Sequence, residues 1–318
     1  MFFIVCFVQA RIIPLSHILI KDNGRGVVDL KQKIAVVGGA RREQIVADML
    51  RINGFTVSTF ATESPYHKEE SCIECCLEDA SALILPVRCN REDLMIEGTS
   101  DLCPIMIREE LISGMKSGAP IYCGIASENL RKICEKTGHP LYEIMECDDV
   151  AIPNAVLTAE GTLLEIAKHS DKSFKDLLLV VFGYGRVGKA CAELFSAVGC
   201  KVIVFCRNDE DIRHGRERGF DMRYYCGYSS VLPKTDYLIN TVPSLIVDKN
   251  VLSVFNKSGV IFDLASMPGG VDTESAKYLG VASVMLPGIP GKYAPHTAGK
   301  ILGSYYVKEM KSKCGGEF

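Results

Sequence analysis

Three glycines near the middle of the chain have the spacing of a dinucleotide-binding loop. Gly183, Gly185 and Gly188 form a G-x-G-x-x-G pattern directly after an apolar run at residues 177–182. In such a loop the first glycine permits a tight turn, the second lets a pyrophosphate approach the backbone, and the third lets helix and strand pack closely. The phosphates then meet the free N–H groups and the positive end of the following helix. The spacing therefore predicts cofactor binding.

The segments around these glycines fit the elements that such a loop needs. The run at residues 177–182 is typical of a strand buried on both faces of a parallel sheet. Apolar residues recur at helical period over residues 187–198, Gly199 marks a helix end, and a second strand follows at residues 201–205. This order favours a nucleotide-binding fold over a chance glycine-rich turn.

The tip of the second strand indicates which nicotinamide cofactor is bound. Folds that select NAD usually place Asp or Glu about 20 residues after the glycines, where it binds the ribose 2′-hydroxyl. Here the chain reads Cys206, Arg207, Asn208, and no carboxylate precedes Asp209. A guanidinium pairs with a 2′-phosphate, which a carboxylate would repel. NADP is therefore favoured over NAD; the alternative interpretation of Arg207 is a solvated loop arginine.

Three later strands, at residues 237–241, 260–264 and 281–286, end in loops that carry proline or glycine. Because strand ends border the ligand crevice of open α/β sheets, these loops should converge over the nicotinamide, and Asn240 and Thr241 could bind its carboxamide or the ribose. Asp263 is better interpreted as a structural carboxylate that accepts from nearby N–H groups. The predicted cofactor-binding residues are Gly183, Tyr184, Gly185, Arg186, Val187, Gly188, Cys206, Arg207, Asn208, Asn240, Thr241, Val242, Pro243, Leu264, Ala265, Ser266, Pro287 and Gly288.

The composition is that of a soluble globular chain long enough for two domains. Its 318 residues are 47% hydrophobic and 24% charged, with a net charge of −3. No Lys/Arg stripe supplies the basic field that nucleic acid requires. Fourteen cysteines scattered through segments with the apolar pattern of buried elements indicate free thiols in a reducing cytosol.

Cys72, Cys75 and Cys76 raise the question of a metal site. No second cluster or histidine pair lies nearby at zinc spacing, and the surrounding acidic residues suit a surface loop. We therefore predict no metal.

The first twenty residues are apolar, but Arg11, Pro14 and His17 interrupt them and no positive segment precedes them. A membrane span is poorly supported by this pattern. Residues 1–32 are interpreted as a leader, the alternative being an additional strand or helix of the first domain.

A second α/β unit begins at Lys33. Its first strand leads into a turn at residues 38–42, which reads GGARR. This turn either binds an anion through its N–H groups and arginines or is an ordinary strand–helix turn, because the three-glycine spacing is missing. A later strand at residues 82–87 leads to Arg88, which is a candidate carboxylate clamp at a strand end; the alternative is a surface arginine.

A helix with one apolar face joins the two halves. Glu160 in the first turn of a helix that starts near Thr158 interacts favourably with the helix dipole, which is a sufficient structural explanation of both residues. The functional alternative is that Thr158 and Glu160 line the cleft between the domains, where such enzymes bind substrates.

The predicted fold class is α/β, with two Rossmann-like, doubly wound parallel-sheet domains and a cleft between them. The predicted divisions are a leader at residues 1–32, an N-terminal substrate domain at 33–152, a connecting helix at 153–170, an NADP-binding domain at 171–291 and a C-terminal helix at 292–318 that packs back on the N-terminal domain.

From Lys33 to the final helix the chain resembles the A subunit of dipicolinate synthase from spore-forming bacteria. The stretches that carry this resemblance are 148–152 (DDVAI), 158–161 (TAEG), the loop at 183–188, 240–244 (NTVPS), 263–266 (DLAS), 268–270 (PGG), 287–291 (PGIPG), 294–295 (AP) and 297–299 (TAG). Parts of the chain also resemble alanine dehydrogenases and adenosylhomocysteine hydrolases, which share the two-domain architecture. Residues 1–32 lie outside the resemblance.

The resemblance implies NADP-dependent oxidation of a dihydrodipicolinate-type precursor to pyridine-2,6-dicarboxylate during sporulation, together with a flavoprotein-like B subunit of dipicolinate synthase. The implied substrate carries two carboxylates, so cationic anchors are needed in the cleft, and Arg42, Arg88 and Lys292 are available. Ser266 is predicted to border substrate as well as cofactor. Ala40 stands where the family's Gly-Gly-Asp-x-Arg turn has Asp, whereas Arg42 matches the Arg.

The implied reaction passes one hydride to the nicotinamide and one proton to a base. Because aromatisation makes this step downhill, positioning matters more than a powerful acid or base. His296 could take the proton near neutral pH, or it could simply start the last helix. Two other functions stay open: an amino- or hydroxy-acid dehydrogenase of alanine-dehydrogenase type, and a nucleotide-binding subunit without chemistry of its own. A homodimer is also possible.

Overall fold

The computed structural model describes residues 30–62, 69–89, 91–98 and 105–313. The predicted leader therefore lies outside the described residues, except for its last three positions. These belong to the first strand, because Leu30 already pairs with Phe55 of the neighbouring strand.

The first half of the chain forms a parallel sheet flanked by helices. Its elements are β1 (Leu30–Val37), α1 (Arg41–Ile52), β2 (Phe55–Phe60), α2 (Ile73–Leu77), β3 (Ala82–Ile84), β4 (Arg88–Cys89), β5 (Met95–Ile96), β6 (Ile105–Met106), α3 (Glu109–Ile112), β7 (Ile121–Cys123), β8 (Ile125–Ala126), α4 (Glu128–Thr137) and β9 (Leu141–Glu143).

The five-stranded sheet has the order β2-β1-β3-β7-β9, with all pairs parallel. Alternate residues of β1 enter different cores: Ile34 and Val36 pack with α1, whereas Ala35 and Val37 pack with α2 and α4. Both faces of the sheet are therefore covered, as its continuous apolar strands require. Strand order reverses between β1 and β3, which is the position where such sheets bind ligands.

A long helix, α5 (Asp148–His169), leads into the second half of the chain. The elements that follow are β10 (Leu178–Phe182), α6 (Arg186–Ala197), β11 (Lys201–Cys206), α7 (Asp209–Glu217), β12 (Asp221–Tyr224), β13 (Tyr237–Asn240), α8 (Lys249–Val254), β14 (Val260–Asp263), α9 (Thr273–Leu279), β15 (Ala282–Met285), α10 (Ile289–Tyr293) and α11 (Pro295–Lys313).

The second sheet has six parallel strands in the order β12-β11-β10-β13-β14-β15. Renumbered within this half, the order is that of the Rossmann dinucleotide fold, with its reversal between β10 and β13. Leu179 and Val181 pack on one face of the sheet, and Val180 and Phe182 on the other. The predicted α/β class with two doubly wound parallel sheets is confirmed.

The connecting helix begins at Asp148, five residues before the predicted connecting segment and ten before the helix start expected near Thr158. Glu160 therefore lies in the middle of the helix, and its predicted place in the first turn, where the helix dipole would favour it, is wrong. Asp148 and Asp149 occupy its first turn, where carboxylates are favoured. Pro153 lies inside the helix, beyond its first turn; because proline has no N–H, it cannot donate the hydrogen bond that an interior residue makes to the carbonyl four residues earlier.

The chain crosses back to the first half at its C-terminal end. Helix α10 packs against α5, and α11 packs against α1. A Cβ on Gly299 would lie only 2.7 Å from Cβ of Ile45, so the glycine is what allows α1 and α11 to approach this closely.

Helix α5 is also long and apolar enough, by length and composition alone, to cross a membrane. More than half of its apolar window, 56%, is buried inside the structure. The core helix of a globular protein meets the same criterion, so this is weak evidence for a span.

Candidate functional site

The glycine loop after β10 has the geometry of a phosphate cradle. Gly183 has φ +97°, and a Cβ there would lie 2.5 Å from Oγ1 of Thr241. A Cβ on Gly188 would overlap the carbonyl oxygen of Gly183, whereas one on Gly185 would meet nothing within 4 Å. The outer two positions thus need glycine for the turn and for packing, and the middle one opens onto free space. The loop fits a pyrophosphate above Gly185 at the start of α6.

This loop borders a cleft of about 580 Å³ between the two sheets, a volume suited to a small-molecule site. The position where the strand order reverses in each sheet contributes to the walls of the cleft, through the turns after β1, β3, β10 and β13. Of the predicted site residues, those that line it are Arg42, Arg88, Thr158, Gly185, Arg186, Val187, Thr241, Leu264, Ala265, Ser266, Pro287 and Gly288.

The charged side chains that line the described part of the cleft are all arginines. Arg42, Arg88 and Arg186 line it, and no carboxylate does so among the described residues. Nη1 of Arg88 lies 3.8 Å from where a Cβ of Gly288 would stand, and Nη1 of Arg42 lies 3.5 Å from the same position on Gly291. Two guanidinium groups of the first half therefore reach the wall built by the second half. This charge favours anionic ligands.

A second cavity of about 360 Å³ adjoins the cleft. The two cavities share Arg42, Arg88 and Met267. The remaining wall of the smaller one consists of Gly39, Ala40, Glu43, Pro86, Arg91, Met95, Glu97 and Gly98. Arg91 is held in a two-bond ion pair with Asp93, at 2.6 and 3.0 Å. Among the arginines that line the smaller cavity, Arg42 and Arg88 are the two that also face the cleft.

Glu43 is a site residue that the sequence interpretation missed. It is only 2% exposed and lies beside Arg42 at the start of α1. Its side chain also accepts a hydrogen bond from the N–H of Ala40 at 2.8 Å, which is half of a capping box. A glutamate three residues after the N-cap is one part of the sequence signal for such a box; the other part, Ser or Thr at the N-cap, is missing because Ala40 stands there.

Thr158 lines the cleft, but Glu160 is exposed and lines neither cavity. Successive residues of an α-helix are rotated by about 100°, so positions two apart point in nearly opposite directions. The prediction that both line the cleft is therefore wrong for Glu160. The Thr158 hydroxyl itself donates to the carbonyl of Asn154 at 3.0 Å.

Lys292 and His296 are also exposed and line neither cavity. The cleft wall is formed by Ile289 and Pro290, earlier in α10. His296 is the second residue of α11, which matches its alternative interpretation as a residue that starts the helix. The cleft thus has no histidine among its described lining residues.

The residues predicted after β11 have different roles. Burial raises the pKa of the Cys206 thiol. The Asn208 side chain caps α7 by accepting from the N–H of Glu210 at 2.9 Å. Arg207 is exposed, and no carboxylate among the described residues pairs with it.

Asn240 is not available to a nicotinamide. Its amide nitrogen donates to the Val242 carbonyl (3.1 Å) and to Oδ1 of Asp263 (2.9 Å), and its oxygen accepts from the N–H of Val242 (3.1 Å). Asp263 also accepts from the N–H groups of Ala265 (3.1 Å) and Gly270 (2.8 Å). The structural role predicted for Asp263 is confirmed. Asp263 and Asn240 form one hydrogen-bonded brace between β13 and β14.

The other predicted residues of the loops lie beside the cleft without lining it. The ring of Tyr184 is buried against Phe220 in the core. Val242 is half-buried and Pro243 is exposed. Because the Tyr184 side chain points into the core, this residue contributes only its backbone to the glycine loop.

The cysteine cluster forms a short helix instead of the predicted loop. Cys72 caps α2, with its Sγ accepting from the N–H of Cys75 at 3.2 Å. Burial raises the pKa of the Cys76 thiol to about 12. Among the residues that the structure describes, no group of three His, Cys, Asp or Glu side chains is arranged to hold a metal ion.

Comparisons with known proteins agree with this geometry. Residues 33–145 match the family model of the N-terminal domain of the dipicolinate synthase A subunit. The chain is 28% identical over 281 residues to the A subunit of dipicolinate synthase from Bacillus subtilis (strain 168), covering 87% of this chain and 95% of that protein. The expected resemblance to this dipicolinate synthase family is confirmed.

A solved structure of the dipicolinate synthase A subunit, from Bacillus halodurans, superposes with a TM-score of 0.82 at 29% identity, over 90% of this chain and 98% of that one. The similarity to this family therefore extends over both halves of the chain.

The second half also resembles dehydrogenases. Residues 158–265 match the NAD binding domain of D-isomer specific 2-hydroxyacid dehydrogenases. A dehydrogenase of that class from Lactobacillus delbrueckii, solved with NAD, superposes with a TM-score of 0.55 at 16% identity, over 90% of this chain and 98% of that one, which shows a shared fold. The second half is thus a nucleotide-binding domain of dehydrogenase type.

Proposed function

We propose that this chain is the NADP-linked dehydrogenase subunit of a dipicolinate synthase. It oxidises a dihydrodipicolinate-type precursor to pyridine-2,6-dicarboxylate during sporulation and works with a flavoprotein-like B subunit. The observation that carries the proposal is the cleft itself, where Arg42 and Arg88, and no described carboxylate, face a glycine loop that carries Arg186 and fits a pyrophosphate. Residues 33–152 then supply the substrate domain and residues 171–291 the cofactor domain.

The choice of NADP depends on Arg207. Its guanidinium is exposed at the tip of β11, where the adenosine ribose lies in this fold. The nearest following carboxylate, Asp209, accepts a hydrogen bond from the Tyr224 hydroxyl at 2.8 Å. Arg207 is therefore free of a described acidic partner and can pair with a 2′-phosphate.

The two carboxylates of the substrate are bound by Arg42 and Arg88. Both are in the first half and reach across the cleft to Gly288 and Gly291. Two guanidinium groups fix the orientation of a rigid dicarboxylate ring, because each pairs with a carboxylate through parallel N–H···O bonds. Ser266, which lines the cleft from the loop after β14, then lies between the substrate position and the cofactor position.

When bound, NADP supplies the acceptor for the hydride that leaves the dihydropyridine ring. The protein's contribution is to hold that ring against the loops after β14 and β15 and the start of α10, whose apolar side chains Leu264, Leu286 and Ile289 line the cleft. A proton also leaves as the ring becomes aromatic. Because this step is strongly downhill, its rate depends more on the correct orientation of the ring than on a strong base.

The wider assignment follows from the same proposal. The relatives are named as the A subunit of their enzyme, which supports a second, partner polypeptide, and a homodimer within that assembly is compatible with it. The cysteines in the described part of the chain are all unpaired, which supports a reducing compartment such as the cytoplasm.

The test is to incubate the purified chain with NADP or NAD and with the dihydrodipicolinate-type substrate, and to follow formation of reduced nicotinamide. Turnover that prefers NADP supports the proposal. Turnover only with amino or hydroxy acids would instead indicate a dehydrogenase of alanine-dehydrogenase type. Cofactor binding without turnover until the B subunit is added would indicate a protein that needs its partner for all chemistry.

A further inference from the structure

Glu43 is a buried carboxylate with a defined orientation. Only 2% of the residue is exposed, although glutamate is rarely buried this fully unless it is paired. Both of its oxygens have partners: Oε2 accepts from the N–H of Ala40 at 2.8 Å, and Oε1 accepts from Nε of Arg42 at 3.1 Å. The carboxylate therefore links the glycine turn to the arginine that faces the cleft.

The turn is shaped around this carboxylate. A Cβ on Gly39 would lie 2.6 Å from Cδ and 2.7 Å from Oε2 of Glu43. The missing side chain of Gly39 is thus the space that the Glu43 carboxyl group fills. Together with the bond to Ala40, this packing leaves Glu43 little freedom to rotate.

The contact with Glu43 determines which edge of Arg42 is available. Its Nε is engaged by Oε1 of Glu43, whereas Nη1 and Nη2 lie 3.5 and 3.9 Å from the position of a Cβ on Gly291, at the opposite wall. The Nη end is the one that can hold a carboxylate through two parallel bonds. Without Glu43, the long Arg42 side chain would sample other rotamers and lose this preorganisation.

We propose that Glu43 is a positioning residue that holds the Nη end of Arg42 toward the substrate carboxylate. This inference rests on the proposed function, since it specifies how one arginine of the dicarboxylate site is oriented. Glu43 itself transfers no proton in this role. It acts through Arg42 alone.

The experiment uses the full chain and the product, pyridine-2,6-dicarboxylate, as the probe. Glu43→Gln keeps the shape but removes the charge, and Glu43→Asp keeps the charge but shortens the reach. Gln44→Ala is the matched control, because Gln44 is a buried neighbour on the same helix that bonds Arg41 and lines neither cavity. Calorimetry measures product and NADP affinity, and thermal melting measures stability.

For Glu43→Gln we expect product affinity to fall and substrate KM to rise by about tenfold or more, the range of a lost charge-assisted hydrogen bond. NADP affinity should stay within about twofold, and kcat should change less than KM. Glu43→Asp should lose less than Glu43→Gln. Gln44→Ala should lower the melting temperature without changing either affinity.

A double-mutant cycle distinguishes orientation from general damage. If Glu43 acts through Arg42, Glu43→Gln should cause little further loss in an Arg42→Ala background. Equal losses in both backgrounds would overturn the inference. So would unchanged product affinity in Glu43→Gln, or a fall in kcat with loss of one limb of its pH profile at constant KM, which is the signature of a catalytic base.

The failure of the proposed function would look different. If the unaltered chain binds no pyridine-2,6-dicarboxylate, the proposed function fails and this inference fails with it. If the unaltered chain binds the product and Glu43→Gln binds it equally well, only the role of Glu43 is excluded.

Discussion

The guanidinium of Arg186, at the start of α6, is bonded to the carboxylate of Asp148, at the start of α5. Nε and Nη2 lie 2.7 and 2.6 Å from Oδ1, and the same group donates to the carbonyls of Met145 and Glu146 at 3.1 Å each. Arg186 also lines the cleft beside Gly185. One side chain thus connects the cofactor loop with the end of the first sheet.

This connection predicts different effects for its two partners. Arg186→Ala should weaken NADP binding about tenfold, because a charged donor beside the pyrophosphate position is removed. Asp148→Ala leaves the guanidinium in place and should change NADP affinity by less than about twofold; since the ion pair is largely exposed, it should also cost no more than about 1 kcal/mol of stability. Titration calorimetry and urea unfolding measure both. A larger loss in Asp148→Ala than in Arg186→Ala would contradict this assignment.

The cofactor choice can be tested at the tip of β11. Arg207→Asp should weaken binding of NADP far more than binding of NAD, because a carboxylate repels the 2′-phosphate and can accept from a 2′-hydroxyl. Arg213→Asp, which changes another exposed arginine on the following helix, is the control for net charge. Equal losses for the two cofactors in Arg207→Asp would remove the argument for NADP.

Two glycines of the loop should respond in opposite ways to the same substitution. Gly185 has φ −75°, and a Cβ there meets nothing within 4 Å, so Gly185→Ala should fold normally and lose cofactor affinity. Gly188→Ala would press on the carbonyl of Gly183 and should cost about 1–3 kcal/mol of stability. Thermal unfolding with and without NADP separates the two effects. A normal affinity in Gly185→Ala would show that the phosphates do not lie above it.

The parts of the site that are contiguous in the chain could be predicted from the sequence. Which side of a helix faces the cleft could not. The glycine loop is recognisable because strand, turn and helix are contiguous, and Arg88 follows its strand directly. Thr158 and Glu160 are two residues apart in the same motif, yet the orientation of α5 brings only Thr158 into the cleft. That orientation depends on packing against α6, α10 and α11, which no short pattern encodes.

It is equally hard to predict from the sequence which polar side chains bond to each other and are therefore not available to a ligand. Asn240 stands at a strand end, where a ligand contact is a reasonable expectation, but Asp263 lies on the neighbouring strand and takes its amide. Pairs across parallel strands depend on register, which only the folded sheet determines. Arg186 and Asp148 illustrate the same point over a longer separation.

The brace between β13 and β14 should be important for stability. Asp263→Asn places an amide N–H₂ among the three donors that the carboxylate now accepts, so at least one buried donor loses its partner. We expect a loss of about 2–3 kcal/mol in the free energy of unfolding, measured in urea. Asp248→Ala, which removes an N-cap of α8, should cost about 1 kcal/mol and is the comparison. Similar values for both would mean that the brace is solvated.

Thiol reactivity should divide the cysteines by burial. Desolvation raises the pKa of Cys191 to about 12, so this thiol is protonated at neutral pH and should resist alkylation in the folded chain. Cys226 is exposed and should be modified well before Cys191. Peptide mass spectrometry after timed labelling measures both. Early labelling of Cys191 in folded protein would contradict the packing of α6 on the second sheet.

The chain passes between its two halves twice, outward through α5 and back through α10 and α11, and the two passages lie side by side. A body joined to another by two neighbouring supports can bend about the line through them but resists twisting across it. Any opening of the cleft that admits a nucleotide is then a hinge motion of one half relative to the other about this line. Arg42 and Arg88 both belong to the first half, so they would move together along that arc, and an anionic ligand held by both would be bound and released in one step.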